Sequence, residues 1–136
     1  MITNAGLNHA LNTEFTAGTP VTSWFIGLID DAAFDELAET DTMGSHAGWT
    51  ENTNYSQATR PAFSPSTATA EFVSNENPAE FTMTALKSLA GMFLTSVNTK
   101  GGTTGVLELQ IEFDTVQTVP IGETLKVYLE VEAGDG

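Results

Sequence analysis

A chain of 136 residues that is 40% hydrophobic, with eight Phe, two Trp and two Tyr, has the composition of one packed domain rather than of a disordered tail. Its 18 acidic against four basic side chains give a formal charge of −14, which repels phosphate backbones and anionic lipid headgroups and speaks against nucleic-acid and membrane-surface roles. With no Cys there is no disulfide framework, thiolate zinc site or cysteine nucleophile, and no apolar run approaches the roughly 20 residues of a bilayer span.

The opening MITNAGLNHALN has neither a basic region nor a continuous apolar segment, so export through a signal peptide is not expected. Residues 4 to 15 put Leu7, Leu11 and Phe15 on one side of a 3.6-residue period, with Thr3 or Asn4 as a possible N-cap and Gly18 just past the end. The spacing predicts a short helix, docked on the body, within an N-terminal arm of residues 1–20. The remainder, 21–136, reads as a β-sandwich domain with one long loop at about 40–60.

VTSWFIGLI, residues 21–29, is rich in β-branched and aromatic residues and apolar on both faces, as a strand covered on both sides would be. Asp30 or Asp31 is then placed to cap a short helix through AAFDELAE, whose Phe34, Leu37 and Ala38 share one side. Residues 40 to 60 carry no sustained period, yet Trp49 and Tyr55 argue for an ordered connection. RPAFSPS, with two prolines, fits an edge or an extended arm.

TAEFV and AEFTMTA flank Asn75-Glu76-Asn77-Pro78 and predict a hairpin. SLAGMFLTSV, residues 88–97, is again apolar on both faces, and NTKGGTTG is a glycine-rich turn. Leu107, Leu109, Ile111 and Phe113 alternate with Glu108, Gln110, Glu112 and Asp114, and Leu125 to Val131 repeat the pattern, so one face is core and the other wet and acidic. Six or seven strands joined mostly by turn-length connections predict a mainly β chain: a single antiparallel β-sandwich or jelly-roll-like domain with a short N-terminal helix or arm. Two strands apolar on both faces need a second cover, from the helix and long loop or from a neighbouring subunit.

DTMGSHAGWTE, residues 41–51, gathers Asp41, Ser45, His46 and Glu51, the residue types of a hydrolase triad. The G-x-S-x-G elbow is not met, because Ser45 follows Gly44 directly, and adjacent Ser and His cannot easily point into one cleft while bonded. The stretch reads better as a turn anchored by Trp49. Asp30, Asp31, Asp35, Glu39 and Asp41 are hard oxygen donors without calcium-loop spacing, and only His9 and His46 could serve a transition metal. NTKGGTTG lacks the phosphate-loop order. No catalytic, cofactor-binding or metal residue is expected, and no cofactor.

The ordered series WFIGLIDDAAF, TDTMGSHAGWTE, YSQATRPAF, NTKGGTTG and GETLKVYLEV, spread over residues 5 to 132, resembles small virion structural proteins of tailed bacteriophages. The resemblance implies a non-enzymatic role: a capsid decoration (cement) protein made in the host cytoplasm, which binds the major capsid protein and stabilises the head from the capsid surface. The alternative it leaves is a tail, baseplate or fibre component, or a receptor- or glycan-binding module. Self-association is expected, a homotrimer being favoured because trimers suit local threefold positions of an icosahedral shell. Within this reading Trp24, Phe25 and Trp49 are candidate aromatic anchors, and Leu7, Leu11 and Phe15 a candidate docking arm.

Overall fold

The two runs that are apolar on both faces become neighbouring central strands. In the computed structural model, which describes residues 1–133, these are β1 (Trp24–Asp30) and β6 (Lys87–Thr95). The last three residues of the expected 21–136 domain lie outside the described residues. Helix α1 (Asn4–Phe15) precedes β1; β2 (Glu51–Asn52), β3 (Ala62–Phe63), β4 (Phe72–Ser74) and β5 (Ala79–Thr82) lie between β1 and β6. β7 (Leu107–Val119), β8 (Thr124–Val127) and β9 (Glu130–Glu132) follow. The protein is mainly β, with one short N-terminal helix and antiparallel pairing throughout these strands.

The main sheet runs β2-β1-β6-β7, with β3 also paired to β1. Over one face lies a long two-stranded ribbon. β4 pairs with β9 and β5 with β8, so residues 72–82 run antiparallel to 124–132 as one interrupted pair. The expected hairpin between TAEFV and AEFTMTA is therefore not formed. Asn75 to Pro78 is a bulge in which four residues face only Tyr128 and Leu129. The Asn75 side chain fills the gap in the ladder: its Nδ2 donates to Asn77 O and Val127 O, and its Oδ1 accepts from Leu129 N. A period of two marks a strand but not its partner, and the C-terminal strand meets the same alternation.

The first core fills the space between sheet and ribbon. Ile26, Leu28, Met92 and Leu94 of the sheet meet Phe81, Met83, Val127 and Leu129, with Tyr55 and Phe63 at the side. A second core lies on the other face, where Ile29, Ala90, Phe93 and Leu107 are covered by Met43 and Trp49, with Phe34 and Leu37 packed against them. The second cover is thus the chain's own segment between β1 and β2, not a neighbouring subunit.

That segment does not contain the expected helix through AAFDELAE. Asp30 Oδ1 accepts from Ala32 N, Phe34 N donates to Asp31 O, and Ala33 takes the left-handed region at φ 62°, so a tight turn replaces the first helical turn. Downstream, Asp35 N donates to Gly48 O, tying the two limbs of the loop together where a helix would have bonded to itself. A Cβ on Gly48 would lie 2.3 Å from Glu36 O, so only glycine allows this approach.

One bulge reverses the reading of β7. Thr95 faces Leu107 while Leu94 faces Leu109, leaving Glu108 extra. Leu107 therefore leaves the Leu109, Ile111 and Phe113 row for the second core, and Gln110, on the face that alternation assigns it, is buried there because the loop covers that face instead of leaving it wet.

Gly27 of β1 sits beneath the Phe93 ring, with the nearest ring carbon 2.1 Å from where a Cβ would stand. Gly27→Ala should overpack the second core and lower the unfolding free energy by about 1–3 kcal/mol, with an unchanged denaturant m-value. Urea titration followed by circular dichroism checks this.

Candidate functional site

The residues that looked most like chemistry lie in the loop that seals the second core, and each is held by a separate partner. Asp41 Oδ2 accepts from Ala38 N at 3.0 Å, from Trp49 Nε1 at 3.1 Å and from Gln110 Nε2 at 3.0 Å. Trp49 Nε1 also donates to Gln110 Oε1 at 3.0 Å, and Gln110 Nε2 to Ala38 O at 2.8 Å. A buried carboxylate, amide and indole thus satisfy one another inside the fold.

His46 stacks on Trp49 with ring centroids 3.8 Å apart, and its Nδ1 lies 2.9 Å from Trp49 O. Ser45 is exposed, and its backbone closes a small bridge with Thr42. Glu51 turns the other way, into a bidentate pair with Arg60 at 2.8 and 2.7 Å. None of the four side chains bonds to another of the four, so the triad residue types share a sequence neighbourhood without sharing a cleft. Among the described residues, no three His, Asp or Glu gather in the arrangement of a metal site.

Arg60 is the functional surprise of this region, because its guanidinium is fully buried. Besides Glu51 it donates to Val97 O and Gly102 O, and it lies 5.2 Å from the Phe93 ring centroid. Lys100 donates to Tyr55 O and Gln57 O over the Tyr55 ring. These two cations and Glu51, which accepts from Gly101 N, hold the NTKGGTTG turn closed; Gly101 has φ 73°. Truncating one member of such a buried bidentate pair costs about 3–5 kcal/mol, which makes Arg60 a structural tie. Tyr55 is buried as well, its hydroxyl has no partner among the described residues, and burial pushes its phenol upward, with Glu51 adding to the rise and Arg60 opposing it.

Three of the four basic side chains are therefore used internally: Arg60, Lys100 and Lys87, whose Nζ lies 3.0 Å from Asp30 Oδ2. Lys126 alone stands in solvent, 3.8 Å from Glu80. The outer surface is more uniformly anionic than composition alone implies.

The candidate interface residues divide. Trp49 is 3% exposed and belongs to the second core, so it is no anchor for a partner. Trp24 and Phe25 are half-buried; Trp24 packs on the first core and meets His9 edge-on at 5.4 Å. Leu7, Leu11 and Phe15 do share one side of α1, but that side faces water, at 46%, 54% and 77% exposure.

The helix docks by its opposite side and its first turns. Met1 exchanges backbone bonds with Gln110, Thr3 N donates to Glu108 O, and Thr3 Oγ1 donates to Leu107 O. Thr3 also caps the helix by accepting from Gly6 N. A Cβ on Gly6 would lie 2.2 Å from Glu108 O, so the glycine that weakens the helical pattern is what lets the helix approach the bulge. His9 Nδ1 lies 3.3 Å from Glu108 Oε2; burial pushes the Glu108 carboxyl upward, and His9 partly offsets that. No protein-family model matches the chain, and no curated protein matches it.

Asp30 gives the site its clearest pH signature. Burial pulls its carboxyl upward, but bonds from Ala32 N, Lys87 and Asn52 outweigh that and hold it below the ordinary aspartate range. A depressed carboxyl contributes stability above its unfolded value, near 3.9, and loses it as the pH falls through the lower folded value. Asp30→Asn should therefore be less stable than the parent by a constant margin at neutral and mildly acidic pH, and the margin should close below about pH 4. Denaturant titrations at stepped pH measure that margin directly.

Proposed function

We propose that the protein is a virion structural protein of a tailed bacteriophage: a capsid decoration protein that binds the shell of the major capsid protein as a homo-oligomer and stabilises the head. The observation that carries this reading is the arm. Helix α1 is fastened through residues 1–9, and it turns Leu7, Leu11 and Phe15 to solvent as one contiguous apolar face on a strongly acidic chain. The resemblance over residues 5 to 132 points the same way, and the triad-type residues of the long loop are occupied in packing.

The magnitudes favour many copies acting together. Burying three apolar side chains is worth roughly 1.5–3 kcal/mol each, and association costs of about 4–15 kcal/mol consume most of that sum. A single copy therefore binds weakly, and an oligomer spanning several capsomers gains effective concentration without further contacts. The anionic exterior keeps densely arrayed copies soluble and apart except at the arm.

Heads and tails separated from the same particles test the reading. The parent chain should sediment with heads stripped of accessory proteins and raise the temperature at which they break. The Leu7→Ser, Leu11→Ser double variant, altered only at exposed positions, should keep its own melting curve and bind heads at least about tenfold less tightly. Binding to tails with none to heads would contradict the proposal.

A further inference from the structure

Where the root of the arm meets the open end of the first core, the surface sinks into a cavity of about 240 Å³. Trp24, Phe63, Val73 and Val131 are among its walls, and Glu108 is the one charged residue there among the described residues. That carboxylate is short of donors. Its Oε2 is buried and has no hydrogen-bond partner among the described residues, and the same holds for His9 Nδ1, which lies 3.3 Å away without the alignment of a hydrogen bond. Burial pushes the Glu108 carboxyl upward, and His9 offsets only part of the rise. A buried acceptor left short of donors in the wall of an otherwise apolar cavity marks a ligand site.

The surroundings select the chemistry of that ligand. Water gains little from a wall that is mostly apolar. An inorganic cation needs several oxygen or nitrogen ligands, and among the described residues no three His, Asp or Glu gather to supply them. Carboxylates and phosphates are repelled by Glu108 and by a formal charge of −14, which concentrates small cations near the surface instead. An ammonium group on an apolar body meets every one of these conditions. Its N–H donates to Glu108 Oε2 and its charge offsets the buried carboxylate, while Trp24 and Phe63 add the aromatic surface that takes up ammonium ligands.

We propose that this cavity binds a small arylalkyl ammonium ion, with the ring among Trp24, Phe63, Val73 and Val131 and the nitrogen on Glu108 Oε2. The volume only bounds the size: apolar cavities of about 150 Å³ are known to take up benzene, so one ring on a short stem is the scale. The site belongs to a single chain and stands apart from the capsid reading.

Titration of the full chain with benzylamine, followed by the NMR signals of the two indole N–H groups, tests it, because Trp24 lines the cavity and Trp49 lies in the second core. Benzylamine should shift the Trp24 signal, leave that of Trp49 in place and saturate with a dissociation constant of about 1 mM or below. Benzyl alcohol has the ring without the charge, and methylamine the charge without the ring; each should bind at least about tenfold less tightly. Glu108→Gln keeps the shape of the side chain and should weaken benzylamine at least about tenfold while leaving benzyl alcohol as it was, with a melting curve showing that the variant is folded. Val73→Phe, which fills the cavity, should weaken both. The three ligands on the parent chain decide the matter without any variant. A Trp24 signal that benzylamine does not move, or benzyl alcohol bound as tightly as benzylamine, overturns the proposal, and so does a folded Glu108→Gln chain that binds benzylamine like the parent.

Discussion

Two hydrogen bonds from one indole nitrogen tie the long loop to the main sheet. Trp49 Nε1 donates to Asp41 within the long loop and to Gln110 within β7, and Gln110 returns the bond to Asp41 and to Ala38 O. Gln110 is also where the chain's first residue pairs its backbone. Sheet, loop and N-terminal arm therefore meet at one side chain. An amide suits that place because it both donates and accepts. An apolar residue there would strand a buried carboxylate with fewer donors, at a cost of about 1–3 kcal/mol or more.

The arrangement of the outer surface follows from that closure. Because the loop supplies the second cover, β1 and β6 need no partner subunit to bury their outer faces. Asp41 and His46 of the loop are drawn into packing, Glu51 is paired with Arg60, and three of the four cations are spent on internal ties. What remains outside is an acidic surface with the apolar face of α1 and scattered apolar side chains such as Leu86, Ile121 and Tyr128.

Much of the fold was legible in the residues and some was not, for identifiable reasons. β1, β6 and the mainly β character followed from apolar composition and period, which depend on local chemistry. Pairing did not: the Ala79–Thr82 segment satisfies its alternation equally with Phe72–Ser74 or with Thr124–Val127, and the Asn75 side chain decides in favour of the second. The 108 bulge turns Leu107 to the face opposite Leu109, and the long loop covers the row expected to be wet, so that Gln110 is buried; the only trace in sequence is a neutral amide in a line of acids. Periodicity likewise placed Leu7, Leu11 and Phe15 on one side of a helix, but it cannot say which way that side points. Gly6, docked against the Glu108 carbonyl, turns it outward. Arg60 left no local signal, because its partners Glu51, Val97 and Gly102 are distant in sequence.

The loop as a sealed second core is the claim on which the rest stands, and exchange of the two indole protons with deuterium tests it most directly. Trp49 Nε1–H, buried and doubly bonded, should exchange only through global unfolding, so its rate should follow the unfolding free energy as denaturant is added. Trp24 Nε1–H, half-buried and without such bonds, should exchange much faster. A Trp49 proton that exchanges as fast as that of Trp24, at a rate insensitive to denaturant, would mean that the loop opens by itself and would contradict the account.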